Sequence, residues 1–259
     1  MFKKPTFIIC LFFALCSFFG KADAFAAKPS AIYQLQIFQL SNKDQETRLD
    51  AYLKNAYLPA LHRFGIKSVG VFKTVEKDSA ANLLYVFVPF KNLNELSKLS
   101  QVLEKDVDYL NNGKDFINAA YNNAPYLRMQ SIILDAFAGM PNFAVPNLTS
   151  PKSERIYELR NYESATAKIG LNKIDMFNKY EIGIFSKLDF NAVFYGQVIS
   201  GPKMPDLIYL TTYNNMADHE AKWKAFGAAY NKVNKLPQYQ NNVSHITSTF
   251  LRPTEYSDL

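Results

Sequence analysis

This chain begins the same strand twice. "AIYQLQIFQL" at residues 31–40 and "RIYELRNYES" at 155–164 share an Ile–Tyr pair, Ile32–Tyr33 and Ile156–Tyr157, set 124 positions apart. The same spacing relates Leu53 and Leu61 to Phe177 and Phe185, and Leu83 and Tyr85 to Leu207 and Tyr209. A fixed period serving three separate stretches predicts two copies of one structural unit, aligned without a net gap.

Each copy reads as strand, helix, strand, strand, helix, strand. In the first, 31–40 alternates in period two. "KDQETRLDAYLKNAYLPALHRFG" then sets Leu49, Leu53, Tyr57 and Leu61 at four-residue steps, the stripe of an amphipathic helix, with Gly65 as its stop. Pro59 inside that helix is expected to kink or break it. "IKSVGVFK" and "NLLYVFVPF" flank the polar turn "TVEKDSAA" as a hairpin. A second helix runs through Leu96, Leu99, Leu103, Val107 and Leu110 to "NNG", and "YLRMQSIILDAF" closes the unit. The second copy repeats the order: strand 155–162, helix 168–188, strands "FNAVFYGQVI" and "DLIYLTTY", helix "MADHEAKWKAFGAAYNKV" and strand "SHITSTFLR".

A βαββαβ unit is a four-stranded antiparallel sheet with helices on one face, so its other face needs cover. Two such units can cover each other. The expected fold is therefore α+β: two tandem ferredoxin-like units, residues 30–137 and 155–259, forming an α+β barrel of the dimeric type with the sheets inside and the helices outside. Pro141, Pro146 and Pro151 mark 138–154 as an irregular linker.

The first 24 residues, with Lys3 and Lys4 ahead of an apolar run from Phe7 to Phe19 and an Ala22–Asp23–Ala24 end, read as a signal peptide. The apolar run is short for a spanning helix, and Leu15 before Cys16 is too large for a lipid-attachment site. The expected location is periplasmic or secreted. Cys10 and Cys16 both fall in this segment, so a mature chain has neither disulfides nor thiolate chemistry. Its cohesion must come from an apolar core, for which 21 Phe and 16 Tyr supply material. Removing three lysines and one aspartate lowers the net charge from +6 to +4, and the remaining lysines are interleaved with acids. Nucleic acid is not an expected partner.

The second copy carries a recognisable pattern: Tyr157, Glu158, Leu159, Arg160 and Tyr162 in its first strand, Tyr209 in its third, Trp223 and Phe226 on its second helix, and Leu251, Arg252 and Pro253 at its end. In this it resembles the NIPSNAP family over nearly all of the mature length. The first copy is similar to a diverged version, with Gln34 and Gln36 where the second has Glu158 and Arg160, and Leu99 near the tryptophan position. The resemblance implies a dimeric α+β barrel of ferredoxin-like halves. It implies no common catalytic residue set.

Alternation along the strands gives a first assignment of faces. With Tyr157 and Leu159 toward the helices, Glu158, Arg160 and Tyr162 face the barrel interior; Tyr209, Thr211 and Tyr213 join them from the third strand, and His245, Thr247 and Thr249 from the last. Glu158, Arg160 and His245 are the catalytic candidates, as carboxylate, fixed cation and imidazole around a small pocket. Tyr162, Tyr209, Thr211, Tyr213 and Thr247 are the ligand-binding candidates. The competing reading is a buried ion pair that holds the sheets in register. His62 is expected to cap the first helix, His219 to be an exposed surface residue, and Trp223, Phe226 and Tyr230 to be core. Asn147 and Asn242 match the glycosylation pattern. No HExxH, GxGxxG, P-loop or GxSxG occurs, so neither a metal nor a cofactor is expected. These observations favour an exported protein that binds a small apolar or aromatic ligand, or another protein, through its barrel. A small-molecule enzyme (a cofactor-free oxygenase, an isomerase or a haem-related activity) and a purely structural role are the alternatives, and the duplication allows a monomer to close its own barrel.

Overall fold

The computed structural model describes residues 30–75 and 82–259. The proposed signal peptide with both cysteines, and most of the turn between the second and third strands, lie outside the described residues.

Eight antiparallel strands form one closed barrel in the order β1-β3-β2-β8-β5-β7-β6-β4. They are β1 Ile32–Leu40, β2 Gly70–Thr74, β3 Asn82–Phe90, β4 Arg128–Ala136, β5 Ile156–Glu163, β6 Phe194–Ser200, β7 Asp206–Tyr213 and β8 His245–Pro253. Helices α1 Lys43–Tyr52 and α2 Leu58–Phe64 follow β1, and α3 Leu93–Leu103, α4 Val107–Asn112 and α5 Lys114–Ile117 follow β3. In the second half α6 Ala167–Met176 and α7 Ile182–Lys187 follow β5, and α8 Met216–Tyr230 follows β7. Residues 138–154 carry neither strand nor helix.

Side-chain oxygens start the main helices. Asn42, Asn92, Thr166 and Asn215 accept from the backbone N–H three residues on, each satisfying one orphan donor of the first turn. The helix expected to run unbroken through Val107 instead stops after Leu103. Asp106 caps a new helix by accepting from Tyr109 N–H at 2.9 Å, and Arg63 holds the same carboxylate at 2.7 Å. A π-helical turn interrupts the first helix at Leu53–Tyr57, and another interrupts its counterpart at Phe177–Glu181. Pro59 is not its cause, because Gly183 occupies the corresponding place in the second half. Pro59 lies just after the π turn, within backbone that stays helical on both sides.

The ladders revise the repeat. Tyr33 pairs with Pro89 and Tyr157 with Thr212, so β3 and β7 are related by 123 positions, not 124. Tyr85 therefore corresponds to Ile208, and the match of Tyr85 with Tyr209 is one residue out of step. One residue in a strand is one change of face: Tyr85 belongs to the inner cluster of the barrel, Tyr209 to the layer beneath the helices. The slip falls in the hairpin, since β2 and β6 keep the longer spacing.

All eight strands contribute to the inner core. Tyr33 of the first half packs against Phe194 of the second at 5.2 Å, Phe87 stacks on Phe194 at 4.8 Å, and Phe72 meets Tyr157 at 4.8 Å. One end of the barrel is sealed by chain segments leaving β4 and β8: Phe143 and Leu148 of the connecting stretch pack against this core, and Leu259 is part of it. Among the described residues the other end is left open.

Candidate functional site

The faces of β5 and β7 are the reverse of those expected. Tyr157, Leu159, Ile208 and Leu210 point into the barrel, whereas Tyr162, Tyr209 and Tyr213 pack under the helices with Phe177, Phe185 and Trp223. A strand lined by a packed lumen on one side and helices on the other is buried on both, and all of β7 is buried. Polarity then cannot set the phase.

Glu158 therefore lies between sheet and helices, only 1% exposed. Its carboxylate accepts from Arg160 Nη1 at 2.6 Å, Ser248 Oγ at 2.6 Å, Trp223 Nε1 at 2.7 Å, His219 Nε2 at 3.1 Å and Tyr213 OH at 3.5 Å. Burial works against the charge, but Arg160, Ser248 and His219 outweigh it and hold the carboxyl below its ordinary range. His219 is the residue expected on the surface; instead its ring lies edge-on to Tyr213 and Phe250. Its Nε2 faces the carboxylate, and its Nδ1 is buried with no partner among the described residues. Trp223 does more than fill the core, since Arg160 lies 4.6 Å from its ring centre. Arg160 Nε reaches Tyr162 OH at 3.2 Å, and Tyr162 OH meets Tyr209 OH at 2.9 Å. Thr211 Oγ1 likewise bonds Tyr213 OH at 3.0 Å. These candidates are brought together, but they satisfy one another in a filled layer.

His245 is not among them. It stands opposite Glu163 in the β5–β8 ladder, while Arg160 stands opposite Ser248. Three residues along a strand, it is about 10 Å removed and on the other face. A second buried pair lies deeper in the helix layer, where Lys173 Nζ contacts Glu181 Oε1 at 2.5 Å and Tyr230 OH at 3.2 Å. His62 binds Asp258 at 2.8 Å, tying α2 to the C-terminal segment. Asn242 is buried and donates to Asn172 at 3.2 Å, so that glycosylation match is not presented to solvent; Asn147 is exposed.

The open end of the barrel holds a cavity of about 200 Å³ built from both halves. Leu35, Ile37, Leu83, Ile132, Leu159 and Val198 supply its apolar lining, with Gln39, Tyr85 and Gln130 among them on β1, β3 and β4. Asn161, Asp206, Thr247 and Thr249 form a polar wall on β5, β7 and β8, with Arg128 and Lys203 also on the lining. Of the ligand-binding candidates, Thr247 is the one that lines this cavity. Asp206 is 6% exposed; its Oδ2 accepts from Asn161 Nδ2 at 3.0 Å, and its Oδ1 has no partner among the described residues. Burial chiefly, with the Glu163 charge adding, pushes its carboxyl up to about 6. Sequence reasoning passed over Asp206, which stands at the head of an apolar strand; an acid leading "DLIYLTTY" was the available signal.

Among the described residues no cluster of His, Cys, Asp and Glu could hold a metal, and no helix is long and apolar enough to cross a membrane. A closed eight-stranded α+β barrel with a one-ended lumen places the molecule among the ferredoxin-like barrel proteins. Its fold is similar to that of a candidate monooxygenase of Fusobacterium nucleatum (TM-score 0.56, 10% identity, 86% of this chain and 92% of that one). It is similar also to a candidate monooxygenase of Lactobacillus acidophilus (0.53, 11%, 86% and 94%) and to an anthrone oxidase-like protein (0.52, 10%, 88% and 93%). No curated protein matches in sequence. Residues 157–258 match the NIPSNAP family model.

Proposed function

We propose that this is an exported NIPSNAP-type protein that binds a small ligand in the barrel lumen, and that its chain is a tandem of two ferredoxin-like units, 30–137 and 155–259. The observation that carries the binding reading is the cavity of about 200 Å³ at the barrel's end, lined by both halves with apolar side chains such as Leu35, Ile132 and Leu159 and with the polar groups of Asn161, Asp206, Thr247 and Thr249. The strand orders β4-β1-β3-β2 and β8-β5-β7-β6 support the tandem reading, being the same order twice. Export rests on the leader alone.

Thr247→Trp should fill the lumen from its polar wall and leave the outer layer intact. Mass spectrometry under native conditions should find a small molecule on the purified protein, or a fluorescent apolar probe bound to it, and lose either in the variant. Equal occupancy of wild type and Thr247→Trp would remove this reading. A carboxyl titrating near pH 6 beside a cavity also suits a general base. In the enzymatic reading, Asp206 takes that role in place of Glu158, Arg160 and His245, and oxidation chemistry of the kind named for the neighbouring folds is the first to assay. Turnover lost in Asp206→Asn with binding retained would favour it.

A further inference from the structure

The mouth of the barrel carries apolar side chains on its outside as well as in its lumen. Six large ones lie around it, each between 40% and 54% exposed: Leu127 and Met129 where β4 begins, Ile199 where β6 ends, Met204 in the β6–β7 connection, Leu171 in the second turn of α6 and Ile246 near the start of β8. Leu127 N–H donates to Gln39 O at the rim, and Ile246 stands opposite Tyr162 in the ladder. In the sheet order β8-β5-β7-β6-β4 these positions follow one continuous arc. Met204 and Leu171 also border an apolar groove of about 230 Å³ between α6 and the β6–β7 connection. Exposed apolar residues scattered singly are ordinary, whereas six along one arc mark a contact surface.

The same arc is basic. Arg128 and Lys168 are exposed and have no acidic partner among the described residues. Lys203 is the third cation, 3.1 Å from Glu163. The acids of the arc are Glu163, engaged in that pair, and the buried Asp206. The rest of the mouth, beside α1, mixes Lys43 and Arg48 with Asp44 and Glu46. We infer that this arc docks on the surface of an anionic lipid bilayer, its apolar side chains entering the headgroup boundary and its cations meeting the lipid phosphates. Apolar burial and attraction to anionic headgroups together hold a peripheral protein at the interface. A second copy of the chain is a poorer occupant. A two-fold contact sets a patch against itself, so Arg128 and Lys168 would face their own kind with no free acid on the arc to receive them. The docking surface does not depend on the lumen holding a ligand.

The test is co-sedimentation with vesicles of phosphatidylcholine, or of phosphatidylcholine and phosphatidylglycerol in equal parts. The chain from residue 25 onward is used, because all the strands and helices of the barrel lie within 30–259 and the apolar run Phe7–Phe19 would bind lipid on its own account. Mixed vesicles should bind about tenfold more tightly than pure phosphatidylcholine. Leu171→Ser with Met204→Ser should weaken binding to both about tenfold. Arg128→Gln with Lys168→Gln should remove most of the preference for phosphatidylglycerol and most of the weakening by salt. Leu93→Ser with Val145→Ser, toward the sealed end, should leave binding within about twofold, and Thr247→Trp should bind vesicles as the wild type does. All these positions but Thr247 are exposed, so unchanged unfolding midpoints should accompany the losses. Absence of vesicle binding, or an equal loss in the Leu93 and Val145 pair, overturns the assignment. A dimer in sedimentation velocity that Leu171→Ser with Met204→Ser dissolves would overturn it in favour of a second copy. Neither result bears on the lumen, which the small-molecule measurement with Thr247→Trp decides separately.

Discussion

The two halves of this barrel solve one packing problem with opposite chemistry. Under the helices of the first half lie Gln34, Gln36 and Tyr57, with Gln34 Nε2 donating to Ser131 Oγ at 2.8 Å and Gln36 Nε2 to Tyr57 OH at 3.2 Å. At the corresponding places the second half has Glu158, Arg160 and Glu181, and Leu49 of the first becomes Lys173. Where α3 presents Leu96, Leu99 and Leu103, α8 presents His219, Trp223 and Phe226. A neutral layer and a charged one therefore support the same strand order. The charges are not needed for the fold, and their cost in desolvation must be met by the five donors around Glu158 and the ring of aromatics around Lys173.

Substitution across the halves turns this comparison into measurements. The largest effect is expected from Lys173→Leu, which leaves Glu181 buried without its cation and should lower stability by about 3 to 5 kcal/mol in chemical denaturation. Adding Glu181→Tyr, to recreate the Leu49–Tyr57 pair, should recover most of that loss. If the double variant stays as unstable as the single one, the halves are not interchangeable in this layer.

Glu158→Gln should cost about 3 kcal/mol at neutral pH, since an amide N–H would face donors already aimed at the site. Because the Glu158 carboxyl is held low in the folded protein, its contribution is full above the ordinary carboxylate range and is lost as pH falls through it. The gap between variant and wild type should therefore close on acidification. A gap that stayed constant down to pH 3 would assign the loss to packing rather than charge.

Asp206→Asn should act in the other direction. A carboxyl raised to about 6 favours the protonated folded form, so wild-type stability declines as pH climbs from the unfolded value toward 6 and stays reduced above it. The amide should gain about 2 kcal/mol above pH 6 and nothing below pH 4, read as the unfolding midpoint against pH. The smallest change belongs to Gln34→Ala in the neutral layer, about 1 kcal/mol for a single uncharged hydrogen bond. A loss as large as that of Glu158→Gln would erase the contrast between the halves.

The order of elements was legible because period-two and helical stripes recur at a nearly fixed spacing, and the closed barrel follows from two sheets each lacking cover. The faces of β5 and β7 were not legible. Tyr157 and Leu159 are the apolar members of their strand, and the habit of turning apolar residues toward helices placed them outward. In a barrel whose lumen is itself a core, that habit fails. The error carried Glu158 and Arg160 inside and left His219 outside, although His219 and Trp223, four residues apart, share a helix face. A missing residue in one hairpin had the same kind of consequence, aligning Tyr85 with Tyr209 across opposite faces. Asp206 escaped notice because a single acid at a strand end looks like a solvated boundary until the neighbouring strands close over it.

The sealed base set by Phe143, Leu148 and Leu259 has a bearing on traffic. A vessel with a single door cannot pass molecules through in one direction. Whatever leaves must retreat by the way it came, past Lys203 and Arg128, before a successor can enter, so occupant and newcomer exclude each other and exchange is governed by departure. Residence time, more than encounter, would then decide how such a protein discriminates among guests.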